Sequence, residues 1–321
     1  MKKINPIPSE QTHLLINKPE HFRFEECLWF LDRNYDDCLH HIDGQLLRKA
    51  IAGPDGPLLF ELEDQGEAIS VRGLTGSTSP ANMEYLRHFL SGYIDLQSPL
   101  PEFYELLRQD HRLAYMPQSF YGLRMVGIPD LFEGLVWSII GQQINLSFAY
   151  RLKRRLVEAY GSSMLYQGKP YFIFPKPETL VSVSPEALRD MQFSGNKARY
   201  IIDMAQQFVD GKMSKSLLRQ APDLATRLKL LTDMRGVGAW TANYVLMKCL
   251  RETDCIPYGD TGLTAALLQH KIMPEKPTRQ EIDTFFRPFA GWQSYLVFYL
   301  WRSLSGPVHK RSEESPEKKL V

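Results

Sequence analysis

Two short stretches carry the residues whose types and spacing suggest chemistry. Leu231-Thr-Asp-Met-Arg-Gly-Val-Gly-Ala-Trp-Thr-Ala-Asn-Tyr244 reads as the end of one helix, a Gly-x-Gly hairpin and the start of another. A lone aspartate, Asp260, follows in Ile256-Pro-Tyr-Gly-Asp-Thr-Gly-Leu263. Gly236 and Gly238 are free to take backbone angles closed to other residues, and without side chains they let another molecule approach. The amides of Gly236, Val237, Gly238 and Ala239 then point outward together at a helix N-terminus, a ready site for a phosphate. A carboxylate 22 residues beyond the second glycine could stabilise a developing positive charge or act as a base. Each stretch alone has an ordinary explanation: Gly-Val-Gly turns join many helices, and such an aspartate is commonly a turn or N-cap residue. Their order and spacing together point further.

The elements that must position these residues follow from periodicity. From about Asp130 the pattern is almost wholly helical. Asp130 is an N-cap candidate, and Phe132, Leu135, Val136, Ile139 and Ile140 share one face. Phe148, Leu152 and Leu156 continue the stripe to a stop at Gly161, with Gly141-Gln-Gln-Ile-Asn145 between the two series. Arg151, Lys153, Arg154 and Arg155 form a basic cluster that fits a polyanion or simply a solvated helix face. Further helices are predicted over 185–191 (capped by Ser184), 197–209, 224–234, 263–270, 280–289 and 292–304. Upstream, 58–63 and 68–72 read as antiparallel strands, and 85–90 and 103–108 as helices. The predicted fold is α+β: a mixed antiparallel β/α domain over 1–118, then an all-helical domain over 119–308. The charged, proline-broken tail over 309–321 is expected to be disordered. The first domain offers scaffold and one wall of a cleft.

A length of 321 residues suits two domains, and the 44% apolar and 23% charged shares are those of a soluble globular chain. No run approaches the roughly 18 apolar residues that span a bilayer. Met1-Lys-Lys-Ile-Asn-Pro-Ile-Pro8 lacks the apolar core of a secretion signal, so a cytoplasmic location is expected. Cys27, Cys38, Cys249 and Cys255 form no Cys-x-x-Cys pair, which argues against zinc or a four-cysteine iron-sulfur cluster. The net charge of +1 hides a division. Residues 1–110 hold 10 Lys+Arg against 18 Asp+Glu, and the remainder 28 against 19, a split of −8 and +9. A basic second part suggests a polyanionic partner; surfaces that merely differ are the plainer alternative.

Taken in order, the pieces resemble the 3-methyladenine DNA glycosylase II branch of the helix-hairpin-helix base-excision glycosylases. The resemblance runs from Phe120 to about Leu304. It rests on Gly122-Leu-Arg124, Phe132-Glu133, Ile139-Ile-Gly-Gln142, Tyr160-Gly161, Phe174-Pro175, the hairpin with Trp240-Thr-Ala-Asn-Tyr244, Ser294-Tyr295 and Trp301. Together they are specific, although each alone is not.

The resemblance implies that Asp260 is the catalytic carboxylate. Breaking an N-glycosidic bond builds positive charge on the deoxyribose, which an ionised carboxylate stabilises; orienting or deprotonating the water is the other role open to it. Relatives that also cut the backbone carry a lysine two residues after the second hairpin glycine, where this chain has Trp240. Tryptophan forms no Schiff base, so hydrolysis of the base should leave an abasic site. Trp240, Tyr244 and Trp301 match aromatic base-pocket positions, suited to the cationic face of alkylated purines. Gln143 stands where the relative inserts an apolar wedge into the gap left by a flipped base. Arg235, Gly236, Val237, Gly238 and Ala239 are the expected DNA-contacting hairpin, with Arg235 where many hairpins have proline. A monovalent cation at the hairpin carbonyls is a family feature that this sequence neither requires nor forbids, and no other cofactor is expected. The implied partner is double-stranded DNA with damaged bases, met by a monomer in a bacterial cytoplasm beside the nucleoid. Glycosylases for oxidised or deaminated bases, and a non-catalytic damage-binding protein, are the alternatives.

Overall fold

The computed structural model describes residues 13–32 and 37–305; the tail over 309–321 lies outside them. Alternating apolar residues build an antiparallel sheet of β1 (His13–Asn17), β2 (His41–Asp43), β3 (Leu46–Gly53), β4 (Gly56–Asp64) and β5 (Ala68–Gly76), in the order β1-β5-β4-β3-β2. Along β3 and β4, Leu47, Ile51, Leu58, Phe60 and Leu62 face α1 (Phe24–Leu31) and α2 (Pro80–Tyr93), burying Phe24, Leu86, Phe89 and Leu90 with them. Ser79 starts α2 by accepting the Asn82 amide, as N-cap serines do.

The second core is helical. It comprises α3 (Leu100–Gln109), α4 (Met116–Ser119), α5 (Leu131–Gly141) and α6 (Leu146–Tyr160). Short helices α7 (Pro177–Leu180) and α8 (Pro185–Asp190) pack on the long α9 (Gly195–Val209), and α10 (Lys215–Gln220) and α11 (Leu224–Thr232) follow it. Helix α12 (Ala239–Val245) runs into a π turn (Leu246–Leu250), and α13 (Thr261–Gln269), α14 (Arg279–Phe286) and α15 (Gln293–Ser303) complete the chain. The expected boundary at residue 118 falls inside this core, because Leu100, Phe103, Leu107, Leu113 and Met116 pack into it. The change of core comes between Ile94 and Leu100.

The expectation of an all-helical second domain needs one correction. Strands β6 (Ser162–Tyr166) and β7 (Lys169–Ile173) form a hairpin directly after α6. Its Tyr171 and Ile173 cover Ala50 and Leu59 on the far face of the first sheet. An antiparallel sheet can leave one face to water, but here the hairpin of the second domain buries the apolar residues on it.

Cations, three of them buried, stitch the two parts together. Arg302 Nε donates to Glu26 Oε2 at 2.8 Å and its guanidinium lies over Trp29. Lys153 Nζ donates to Asp37 Oδ2 at 2.9 Å and sits 3.6 Å from Glu133. Arg251 pairs with the fully buried Asp95. Arg124, fully buried, donates to the carbonyls of Glu20, His21 and Ser98. The acidic-to-basic division of the chain is thus partly consumed inside the fold. The basic cluster on α6 divides likewise: Lys153 is buried, Arg154 pairs with Glu158, Arg155 bonds Met191 O, and Arg151 is exposed. No helix among the described residues is long and apolar enough to cross a membrane.

Candidate active site

Asp260 sits at the N-cap of α13, where its Oδ1 accepts the Leu263 amide at 2.7 Å. The capping role does not exhaust the carboxylate. Oδ1 also accepts from Trp301 Nε1 on α15 at 2.9 Å, and Oδ2 accepts from Trp240 Nε1 on α12 at 3.1 Å. Three N–H donors converging on one carboxyl suit its ionised, acceptor-only form. Gly262 makes room for this, since a β-carbon there would stand 3.2 Å from both Asp260 Oδ1 and Trp301 Cδ1. Asp260 is half-buried rather than buried.

Tyr244 lies one turn beyond Trp240 and stacks on it, ring centroids 5.2 Å apart at 13°. Trp301 approaches Tyr244 at 6.3 Å and 43°. Trp240, Tyr244, Trp301 and Asp260 are therefore one cluster, as the sequence suggested. Trp137 Nε1 donates to Tyr244 Oη at 3.3 Å, a contact with no sequence signal. Tyr244 also lines a cavity of about 70 Å³ together with Phe30 and Leu31 of α1, Trp137 and Lys153, so the first domain approaches the cluster on that side. Trp292 stacks on Phe103 and belongs to the core.

The hairpin joins α11 to α12. Gly236 has φ +87, and an added β-carbon would strike the Tyr200 ring at 2.5 Å, so only glycine fits. Gly238 differs from expectation: with φ −93 it is the N-cap of α12 and needs no special angle, but the space around its absent β-carbon is open. Val237 also differs. Its amide donates to Met234 O at 3.1 Å and its side chain is buried, so it anchors the turn instead of offering an N–H to a phosphate. Arg235 is exposed, its guanidinium over the Tyr200 ring and 3.4 Å from Asp203. The Gly236 carbonyl accepts Gln142 Nε2 at 2.9 Å. Carbonyl oxygens have a second lone pair, so the Gly236 carbonyl keeps an acceptor position beyond its bond to Gln142.

Gln143 is exposed at φ +56 in the turn between α5 and α6. Its neighbour ties that turn to the hairpin, because Gln142 Nε2 also reaches Thr241 Oγ1 at 3.2 Å. Gln143, the hairpin and Asp260 are thereby linked through consecutive contacts. All four cysteines are buried, and burial pushes the Cys27 and Cys38 thiols up to about 12. Among the described residues no His, Cys, Asp and Glu gather as metal ligands.

A model of the HhH-GPD superfamily of base excision DNA repair proteins matches residues 136–290, the span holding both hairpin and aspartate. A Bacillus subtilis protein named DNA-3-methyladenine glycosylase is 36% identical over 91% of this chain and 97% of its own length. The chain belongs to the HhH-GPD superfamily. Among solved structures of similar fold, the 3-methyladenine DNA glycosylase of Archaeoglobus fulgidus superposes with a TM-score of 0.78 at 24% identity, covering 90% of this chain and 97% of that one. The Clostridium acetobutylicum 8-oxoguanine glycosylase/lyase in complex with double-stranded DNA gives 0.71 at 18%, covering 90% and 97%. Both likenesses extend beyond the superfamily's helical core to the N-terminal sheet.

Proposed function

We propose that this chain is a monofunctional DNA glycosylase that hydrolyses the N-glycosidic bond of alkylated purines of the 3-methyladenine type, working as a monomer on double-stranded DNA. The carrying observation is the Asp260 carboxylate held by the Leu263 amide and two indole N–H groups beside the Tyr244 ring. DNA docks its backbone at the exposed end of the hairpin, around Gly238 and Ala239, with Arg235 alongside. The damaged nucleotide leaves the stack, and Gln143 fills the gap. Its base meets Tyr244 and Trp301; Trp240 is spent on Tyr244 and Asp260, so its part is to hold the carboxylate.

As the C1′–N bond breaks, the electron pair leaves with the base. An alkylated purine is already cationic and departs neutral, with no proton required. Positive charge gathers on the sugar beside the fixed anion of Asp260, and water adds to C1′ and loses a proton. Carboxylate oxygens already engaged with three donors serve better as a persistent charge than as a proton acceptor. No amine stands at residue 240 to capture the sugar, so an abasic site remains. Incubation with duplexes bearing 7-methylguanine, 3-methyladenine, hypoxanthine or 8-oxoguanine tests the assignment. Release of the cationic bases at least about tenfold faster than the neutral ones is expected, a difference of about 1.4 kcal/mol in barrier. Faster release of 8-oxoguanine would overturn it.

A further inference from the structure

The turn carrying Gln143 is held more firmly than a surface turn needs to be. A non-glycine residue at φ +56 costs roughly 1–2 kcal/mol and persists only where its surroundings fix it. Asn145 caps α6 by accepting the Phe148 amide at 2.9 Å, and Gln142 bonds the hairpin on the other side. The third restraint comes from α9. Lys197 Nζ donates to the carbonyl oxygens of Ile140 and Gln142, both at 2.7 Å. Lys197 lies in the first turn of its own helix, where a cation opposes the helix dipole; at the C-terminal end of α5 it complements one. It is half-buried, and desolvation lowers its pKa. Its placement is explained by α5 and the turn, not by α9.

We infer that Lys197 is a positioning residue for base eversion: through the carbonyls of Ile140 and Gln142 it fixes the turn from which Gln143 enters the DNA gap. This rests on the reading of Gln143 as the gap-filling residue. With Gln142 tied to Gly236 and Thr241, phosphate capture at the hairpin and entry of Gln143 occur at one fixed spacing.

The test compares single-turnover release of 7-methylguanine by the full chain from two duplexes, one fully paired and one with an abasic site opposite the lesion. In the second, eversion breaks no base pair. Lys197→Met, which removes both donated hydrogen bonds, is expected to lose at least about tenfold on the paired duplex and less than about twofold on the other. Lys197→Arg, which keeps the donors, should recover most of the rate, and Gln143→Ala should show the same split as Lys197→Met. Equal losses by Lys197→Met on both duplexes, or no loss on either, would overturn the inference. A split for Gln143→Ala with Lys197→Met at wild-type rates would overturn it while sparing the role of Gln143. The converse, a split for Lys197→Met with Gln143→Ala unaffected, would sink the gap-filling role and the inference with it.

Discussion

Asp260 receives its donors from three different helices, and each donor does separate work. The Leu263 amide fixes the carboxyl at the head of α13, whereas the Trp240 and Trp301 indoles bring the aromatic wall to it. Trp301→Phe keeps an aromatic face, smaller than the indole, and removes one N–H. We predict a fall in kcat of about tenfold with KM changed less than about twofold, the pattern of an interaction that matters mainly in the transition state. Trp301→Ala should also raise KM, because it removes the surface offered to the base. Steady-state kinetics on methylated duplex DNA separates the two; equal KM values for both variants would deny Trp301 a part in base binding. The sequence pointed to the aromatic residues as stacking faces. It could not show that two of them spend their N–H groups on Asp260, because no local pattern records which way an indole turns.

The hairpin works as an element through two glycines with different tasks. Gly236→Ala places a methyl against the Tyr200 ring at a positive φ, so we predict a stability loss of about 1–3 kcal/mol on thermal denaturation. Gly238→Ala meets no neighbour and should leave stability within about 0.5 kcal/mol. On the proposed docking it should nonetheless weaken binding to undamaged duplex about tenfold, since the methyl would project toward the phosphate. An unchanged affinity for Gly238→Ala would remove the phosphate from that spot. Helices with strong periodicity and a capping residue were legible: Asp130, Ser184 and Asp260 cap where their types suggested. The hairpin β6–β7 was not, since five-residue strands carry weak periodicity and its reason for existing is a sheet face more than a hundred residues upstream. Lys197 was equally invisible, its partners lying in another helix.

Across the whole molecule, composition pointed to a basic second part suited to a polyanion or merely to surfaces that differ, and the fold spends part of that charge internally. Lys153 is held charged against its burial by Asp37 and Glu133, which raise its pKa; Asp37 is held low, against its own burial, mainly by Lys153. Lys153→Met leaves those carboxylates buried without their cation and should cost about 3–5 kcal/mol in chemical denaturation. The pair's contribution is present between the unfolded-state values of roughly 3.9 and 10.4, and is lost below the first and above the second. His40 acts between them: burial pushes its pKa down to about 4, so the neutral form is native. As pH falls from about 6.5 toward 4 the unfolded chain binds a proton that the folded chain refuses, and stability should drop by up to about 1.4 kcal/mol per pH unit. A flat stability profile over that window would show that His40 is not held neutral. The proposed activity depends on Asp260 and on the absence of an amine at residue 240, and one experiment addresses both. Wild-type protein and Asp260→Asn are incubated with methylated duplex DNA, and released bases and strand breaks are scored with and without alkali. The wild type should release free methylpurines with breaks only after alkali, and Asp260→Asn should bind normally yet be slower by at least about 10²-fold. Undiminished base release by Asp260→Asn, or wild-type breaks without alkali, would contradict the mechanism.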